Sequence, residues 1–154
     1  MKRSHSLIIS ILLPFLVAGI TYFSVQNNQD LYASLLLPNS LIANSYVYVF
    51  LWAIQYVILG YASYLIYQSQ DPDVHKVLVL YAIQLFFLFL WPIFLFNMQD
   101  FLLTVIVLLL SWGLCIIMIY TFYKINRIAG YLLVPYFIWI GYMLHYHFSI
   151  FMLN

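Results

Sequence analysis

An all-α membrane protein, a five-transmembrane-helix bundle, is the fold class this sequence predicts, and three observations predict it. Apolar residues make up 67% of the 154 and charged residues only 6%, so the chain cannot build the polar surface that a soluble domain needs. The apolar residues fall in five runs, at 7–23, 46–67, 77–96, 101–122 and 128–153, each close to the ~20 residues a helix needs to cross a bilayer. The charged residues collect between the runs. With no water in the hydrocarbon core, backbone groups must be satisfied within each segment, so helices are the default spanning element. By length, residues 1–154 make one domain. No room remains for a soluble domain, so function lies inside the bundle or in its loops.

The breaks between spans are chemically sensible. The first span follows Lys2 and Arg3 and ends at Gln26-Asn27-Asn28-Gln29-Asp30. A basic pair ahead of an apolar run with Ala18-Gly19 fits a cleaved signal peptide loosely, but the run is long and no A-x-A site is clear. The first span is therefore expected to be retained. The outer loop, 24–45, is apolar over 31–37 and carries Tyr32. Two readings of it stand side by side: a lid folded over the outer mouth, with Pro38 and Asn39 turning the chain, or a segment lying on the headgroups. Gln68-Ser69-Gln70-Asp71-Pro72-Asp73 closes the second span, and Asn97-Met98-Gln99-Asp100 is a tight turn between the third and fourth. Asp100 is expected to cap the fourth helix, with Thr104 in its first turn. Lys124-Ile125-Asn126-Arg127 separates the fourth span from the fifth.

The basic residues sort cleanly. Lys2, Arg3, Lys76, Lys124 and Arg127 all fall on the N-terminal side of a five-span chain. The positive-inside rule then predicts a multi-pass cell-membrane protein with its N-terminus in the cytoplasm and its C-terminus outside. No Lys/Arg-rich run exists, which argues against a nucleic-acid partner. The single cysteine, Cys115, excludes an intrachain disulfide, and its place among Leu114, Ile116 and Ile117 suits a small buried hydrophobe.

Polar and aromatic residues inside the spans share faces. Trp52, Gln55, Tyr56 and Ser63 fall at i, i+3, i+4 and i+11. Tyr81, Gln84 and Trp91 form a second face, and Tyr136, Trp139, Tyr146 and His147 a third. Gln55 and Gln84 would be costly against lipid, so both are expected to face inward, Gln84 toward the second helix or a cavity. Indole, phenol and carboxamide together suit an aromatic-walled site for a flat, mostly apolar ligand. The same stripes also serve as ordinary helix packing, and amide pairs as interhelical ties. His145 and His147, at i and i+2, point about 160° apart on a helix, so interfacial histidines are expected rather than a metal pair. No metal site, cofactor site, Ser/His/Asp set, CxxC pair or Gly-rich phosphate loop is evident.

The chain resembles the translocator protein family, also called tryptophan-rich sensory proteins or peripheral benzodiazepine receptors. Leu132-Leu133-Val134-Pro135-Tyr136-Phe137-Ile138-Trp139 matches that family's L-L-x-P-Y-x-x-W, with Asn154 where members often end. Tyr81-Ala82-Ile83-Gln84-Leu85 matches Y-x-x-Q-L, and Trp91-Pro92 followed by Phe96 matches W-[SP]-x-x-x-F. Trp52 and Tyr56 with Gly60-Tyr61-Ala62-Ser63 match W-x-x-L-Y-x-x-M-G-x-x-S loosely, and Leu31-Tyr32-Ala33-Ser34-Leu35 with Pro38 is similar to W-Y-x-x-L-x-x-P. The family's W-x-P-P loop signature is replaced by Ser40, Leu41, Ile42 and Ala43. Leu88 stands for its third-helix Asn, Val107 for its fourth-helix Asp, and Tyr146-His147 for a Leu-Asn. With four tryptophans, this is a tryptophan-poor member.

The resemblance implies a five-helix bundle, often a homodimer, that binds porphyrins, sterols or benzodiazepine-like drugs. It places Trp52 and Trp139 at the ligand cavity; with the shared faces and motifs above, the candidate ligand contacts are Tyr32, Trp52, Gln55, Tyr56, Gln84, Trp91, Pro135, Tyr136 and Trp139. Some bacterial members degrade porphyrin in light, which makes Trp52 and Trp139 the catalytic candidates if this chain is an enzyme. The expected arrangement has these two indoles flanking one cavity beneath the Tyr32 loop and sandwiching a planar macrocycle. Receptor or transporter is the leading function. A slow porphyrin-degrading enzyme, or a structural factor that has lost the cavity, are the alternatives.

Overall fold

Lipid on the outside and tight helix contacts on the inside set the architecture. A computed structural model of the protein describes residues 3–28, 30–38 and 45–154, and their side chains except those of Arg3, Ser4, Tyr32 and Ser45. Lys2, the Tyr32 side chain and the stretch replacing W-x-P-P therefore lie outside the described residues. Helix α1 runs Arg3–Val25 and continues into a 3-10 turn, Gln26–Asn28; α2 is the short Leu31–Ser34. The long helices that follow are α3 (Ser45–Gln68), α4 (Val74–Pro92), α5 (Phe101–Ile125) and α6 (Arg127–Leu153). Helix α4 is prolonged by a π-helical turn, Ile93–Asn97.

Five helices (α1, α3, α4, α5 and α6) are long and apolar enough to cross a membrane, and the protein is an all-α bundle of these five. They close a ring in the order α1, α3, α6, α5, α4, with the most extensive packing between α5 and α6. The outward faces remain apolar: Phe23 is 70% and Ile138 65% exposed. In water such a surface would aggregate; in a bilayer it is the solvated face.

Close helix contacts are made where side chains are small. A Cβ on Gly60 would lie 2.6 Å from both the Ile11 Cα and the Ser10 carbonyl oxygen, so α1 and α3 touch backbone to backbone there. A Cβ on Gly130 would meet that of Tyr123 at 2.6 Å, at the tight turn between α5 and α6. Asn126 makes that turn possible. Its Oδ1 accepts from the backbone N–H groups of Ile128 and Ala129, at 3.0 and 3.1 Å, and caps α6.

The turn from α4 to α5 follows from Pro92, which has no N–H to donate into the helix ladder. The chain widens into the π turn, Gln99 takes a left-handed φ of 52°, and Asp100 then restarts the helix. Its carboxylate accepts from Leu103 N at 2.9 Å and its carbonyl from the Thr104 hydroxyl at 2.8 Å, the expected cap. At the opposite end of the bundle, Gln70 takes the corresponding left-handed φ of 55° between α3 and α4. There Lys76 Nζ lies 2.8 Å from Asp73 Oδ1.

Candidate functional site

The end of the bundle away from Lys76 and Lys124 holds a cluster of rings centred on Trp52. Helix periodicity places Tyr48, Trp52 and Tyr56 four residues apart on one stripe of α3. The Trp52 indole stacks on Trp91 of α4, with ring centroids 6.0 Å apart and planes within 12°. It meets Trp139 of α6 edge-on at 5.6 Å and 90°, and Tyr56 at 5.4 Å. Tyr48 completes the group, 6.0 Å from Trp139. Such offset and edge-to-face pairs are the favoured aromatic geometries.

This arrangement corrects the sandwich expected from the sequence. Trp52 and Trp139 are in ring contact, so no slot for a macrocycle separates them. The open space lies on the other side of Trp52, in a cleft of about 610 Å³ between α1, α3 and the end of α4. Its walls are Phe15 and Tyr22 of α1, Tyr48, Trp52 and Tyr56 of α3, with Trp91 and Phe96 across from them. The volume falls within the roughly 300–1,000 Å³ typical of small-molecule sites. Of the nine candidate ligand contacts, the cleft brings together Trp52, Tyr56 and Trp91. Gln55, Gln84, Pro135, Tyr136 and Trp139 are not among its walls. Phe15, Ala18 and Tyr22 were missed, although their i, i+3, i+7 spacing marks one face of α1.

Behind the rings lies a buried polar group. The Gln84 amide Nε2 donates to the Ser111 hydroxyl and to the Tyr136 hydroxyl, each at 2.6 Å. Gln55 and Gln84 are both buried, as the cost of an amide in lipid required. The direction of Gln84 differs from expectation: it reaches toward α5 and α6 rather than α3. Ser111 and Tyr136 are the two hydroxyls that converge there, so the amide follows its donors and acceptors. Among the described residues, Gln55 Oε1, Gln84 Oε1 and Trp139 Nε1 are buried without a hydrogen-bond partner. The buried Tyr81 hydroxyl lies beside Ser63, whose own hydroxyl donates to the Gly60 carbonyl at 2.8 Å.

The histidines also depart from expectation. His145 is exposed, but His147 is buried rather than interfacial. Its Nδ1–H donates to the Met143 carbonyl at 2.8 Å, and its ring lies edge-on to Trp91 at 5.0 Å. A neutral imidazole with its N–H satisfied one turn back is buried at little cost. Among the described residues no group of three or more His, Cys, Asp or Glu is placed to hold a metal ion. Cys115 is fully buried.

The segment between α1 and α3 is tied to the bundle at two points. Asn28 Nδ2 donates to Asn97 Oδ1 at 2.8 Å, and Asn97 Nδ2 to the Ser24 carbonyl at 3.0 Å. Asn154 holds Leu36 twice: its Oδ1 accepts from Leu36 N at 2.9 Å, and its Nδ2 donates to Leu36 O at 3.0 Å. Helices α1 and α6 are not neighbours in the ring, so Asn28 and Leu36 are anchored on opposite sides of this end of the bundle. An Asn154→Ala variant should free Leu36. At roughly 0.5–1.5 kcal/mol per hydrogen bond, amide exchange at Leu36 is expected to quicken by about tenfold. An unchanged exchange rate would show that Asn154 does not hold the loop.

Comparison with known proteins agrees with this architecture. The model of the TspO/MBR family matches residues 10–153. A tryptophan-rich protein TspO of Chlorobaculum tepidum is 29% identical over 105 residues, covering 67% of this chain and 66% of that protein. Translocator protein 2 of Canis lupus familiaris is 32% identical over 93 residues, 58% of this chain and 54% of that protein. The matches thus span just under two thirds and about half of these relatives' lengths.

Proposed function

The chain belongs to the TspO/MBR family, and from that premise we propose that it is a membrane receptor or transporter for a flat hydrophobic ligand, porphyrin-like or, less closely fitting, sterol-like. One observation carries the reading: Trp52, half of a near-parallel indole stack, forms the wall of an aromatic cleft large enough for a small molecule. A macrocycle there lies against one indole, with Tyr56 and Phe96 beside it. The test is a titration of the purified protein with protoporphyrin, followed by tryptophan fluorescence. A Trp52→Phe variant keeps an aromatic wall but loses indole area, and should bind about 2–10-fold more weakly, at roughly 0.5–1.5 kcal/mol per aromatic contact. Trp112, which lies away from the cleft, is the control. Equal affinity in the wild type and Trp52→Phe would remove the cleft from the proposal.

A second reading, slow light-dependent breakdown of porphyrin, is favoured by the ring contacts from Trp52 to both Trp91 and Trp139. An easily oxidised indole in the cleft wall is thereby in ring contact with two more, Trp91 in the cleft lining and Trp139 behind it. If Trp52→Phe keeps binding but loses porphyrin turnover, the enzyme is preferred. If it changes neither property, a structural role is preferred.

The proposal includes an orientation. Lys76, Lys124 and Arg127 lie at one end of the helices, while Asp30, Asp100 and Asn154 lie at the other, which supports a cytoplasmic N-terminus. A single cysteine introduced by Lys124→Cys, with Cys115 replaced by Ser, should resist an impermeant thiol reagent in intact cells. Strong labelling from outside would reverse the orientation. Pairing of two copies in the bilayer rests on the resemblance alone, and cross-linking in intact membranes checks it.

A further inference from the structure

We propose that the groove between the start of α4 and the end of α5 binds the head group of an anionic phospholipid, drawn from the leaflet on the basic side of the bundle. The groove measures about 360 Å³ and lies at the end of the bundle opposite the Trp52 cleft. Lys76 in the first turn of α4 and Lys124 in the last turn of α5 stand at its mouth, both exposed. Val77 and Leu80 follow on successive turns of α4 toward the membrane interior, and Ile125 faces them. The groove is therefore cationic at its rim and apolar along its length.

That gradient selects a phospholipid over a soluble anion. A free phosphate uses only the lysines. A phospholipid also lays an acyl chain along Val77 and Leu80, already at the depth where its leaflet holds it. Basic pockets between helices at a membrane rim are suited to anionic head groups, each lysine near the surface adding a favourable increment.

The charges within the groove are not equivalent. Lys76 Nζ is engaged by Asp73 Oδ1 at 2.8 Å, with both side chains largely in solvent. Lys124 Nζ lies over the Tyr120 ring at 4.4 Å and has no carboxylate beside it among the groove residues. Lys124 is thus the principal anchor. Asp73 works against anion binding, both by its own charge and by holding Lys76.

This assignment gives substitutions of opposite sign. The full chain, in nanodiscs of mixed phosphatidylglycerol and phosphatidylcholine, is released and its retained lipids are quantified by native mass spectrometry. Wild-type protein should retain phosphatidylglycerol in preference. Lys124→Gln should lower that preference by about fivefold, and Lys124→Arg should keep it. Asp73→Asn should raise it, because Lys76 is released. Glycerophosphate, the head group without chains, should compete poorly. Equal preference in wild type and Lys124→Gln, a fall in Asp73→Asn, or full competition by glycerophosphate would each overturn the proposal. Protoporphyrin titration should be unchanged in all three variants, which separates this groove from the cleft.

Discussion

Gly60→Val should detach α1 from the bundle and close the cleft to ligand. Gly60 sits where α1 and α3 cross, and even a single Cβ would meet main-chain atoms of Ser10 and Ile11 at 2.6 Å. Backbone cannot swing aside as a flexible side chain does, so the helices must separate. Overpacking costs about 1–3 kcal/mol in a well-packed core. In a bilayer the loss goes further, because lipid is as apolar as the helix face and nothing drives two separated helices back together. Helix α1 is the least buried of the five spans, with 17% of its apolar window inside the bundle against 33–39% for the others. It supplies Phe15, Ala18 and Tyr22 to the cleft. Thermal unfolding in detergent should show a lowered midpoint, and the protoporphyrin titration should lose its response. Gly19→Val is the control, since a Cβ on Gly19 meets nothing within 4 Å. If both variants behave as wild type, the crossing does not depend on Gly60.

Trp52→Ala should be the most destabilising single truncation at the aromatic end of the bundle. The ring touches four others, those of Tyr48, Tyr56, Trp91 and Trp139, at centroid distances of 6.4, 5.4, 6.0 and 5.6 Å. Truncating a buried Phe or Trp to Ala costs about 3–5 kcal/mol, the spread reflecting how far the site collapses. Collapse is limited here, because the four partners come from three different helices. The space left by the indole joins the existing cleft rather than forming a sealed void. A planar apolar ligand can then fill it, and ligand bound only to the folded state restores stability by mass action. The expected result is a lowered unfolding midpoint without ligand and a larger ligand-induced rise than in wild type. A lowered midpoint with no ligand response would mark Trp52 as packing alone. An unaltered midpoint would show that the ring cluster does not support the fold.

The same contacts show how far the site was legible beforehand. Burial of Gln84 and Gln55 followed from the cost of an amide in hydrocarbon, a property of each residue alone. The partners of Gln84, Ser111 and Tyr136, did not follow, because periodicity assigns a face but not the helix that face meets. Trp52 and Trp91 were recognisable as cleft residues, while Trp139 was placed across an opening from Trp52 and instead abuts it. That distinction depends on the rotation of α3 against α6, and a small rotation about either axis exchanges a gap for a contact. His147 shows the reverse case. Its polarity argued for the interface, but a carbonyl one turn back and the Trp91 ring made a buried site acceptable.

By itself the sequence determined the class, the five spanning helices and the cap at Asp100. Each of these is a response of local composition to its solvent: apolar runs to lipid, carboxylate to the free N–H groups of a helix start. Only the tertiary structure decided the ring order, the closeness of α1 to α3 at Gly60, and the side of Trp52 on which space remains. The reason is physical. Lipid separates polar from apolar residues strongly, and that separation can be read one position at a time. It hardly distinguishes one apolar face from another, so helix rotation and pairing are settled by van der Waals fit and a few hydrogen bonds between residues far apart in the chain.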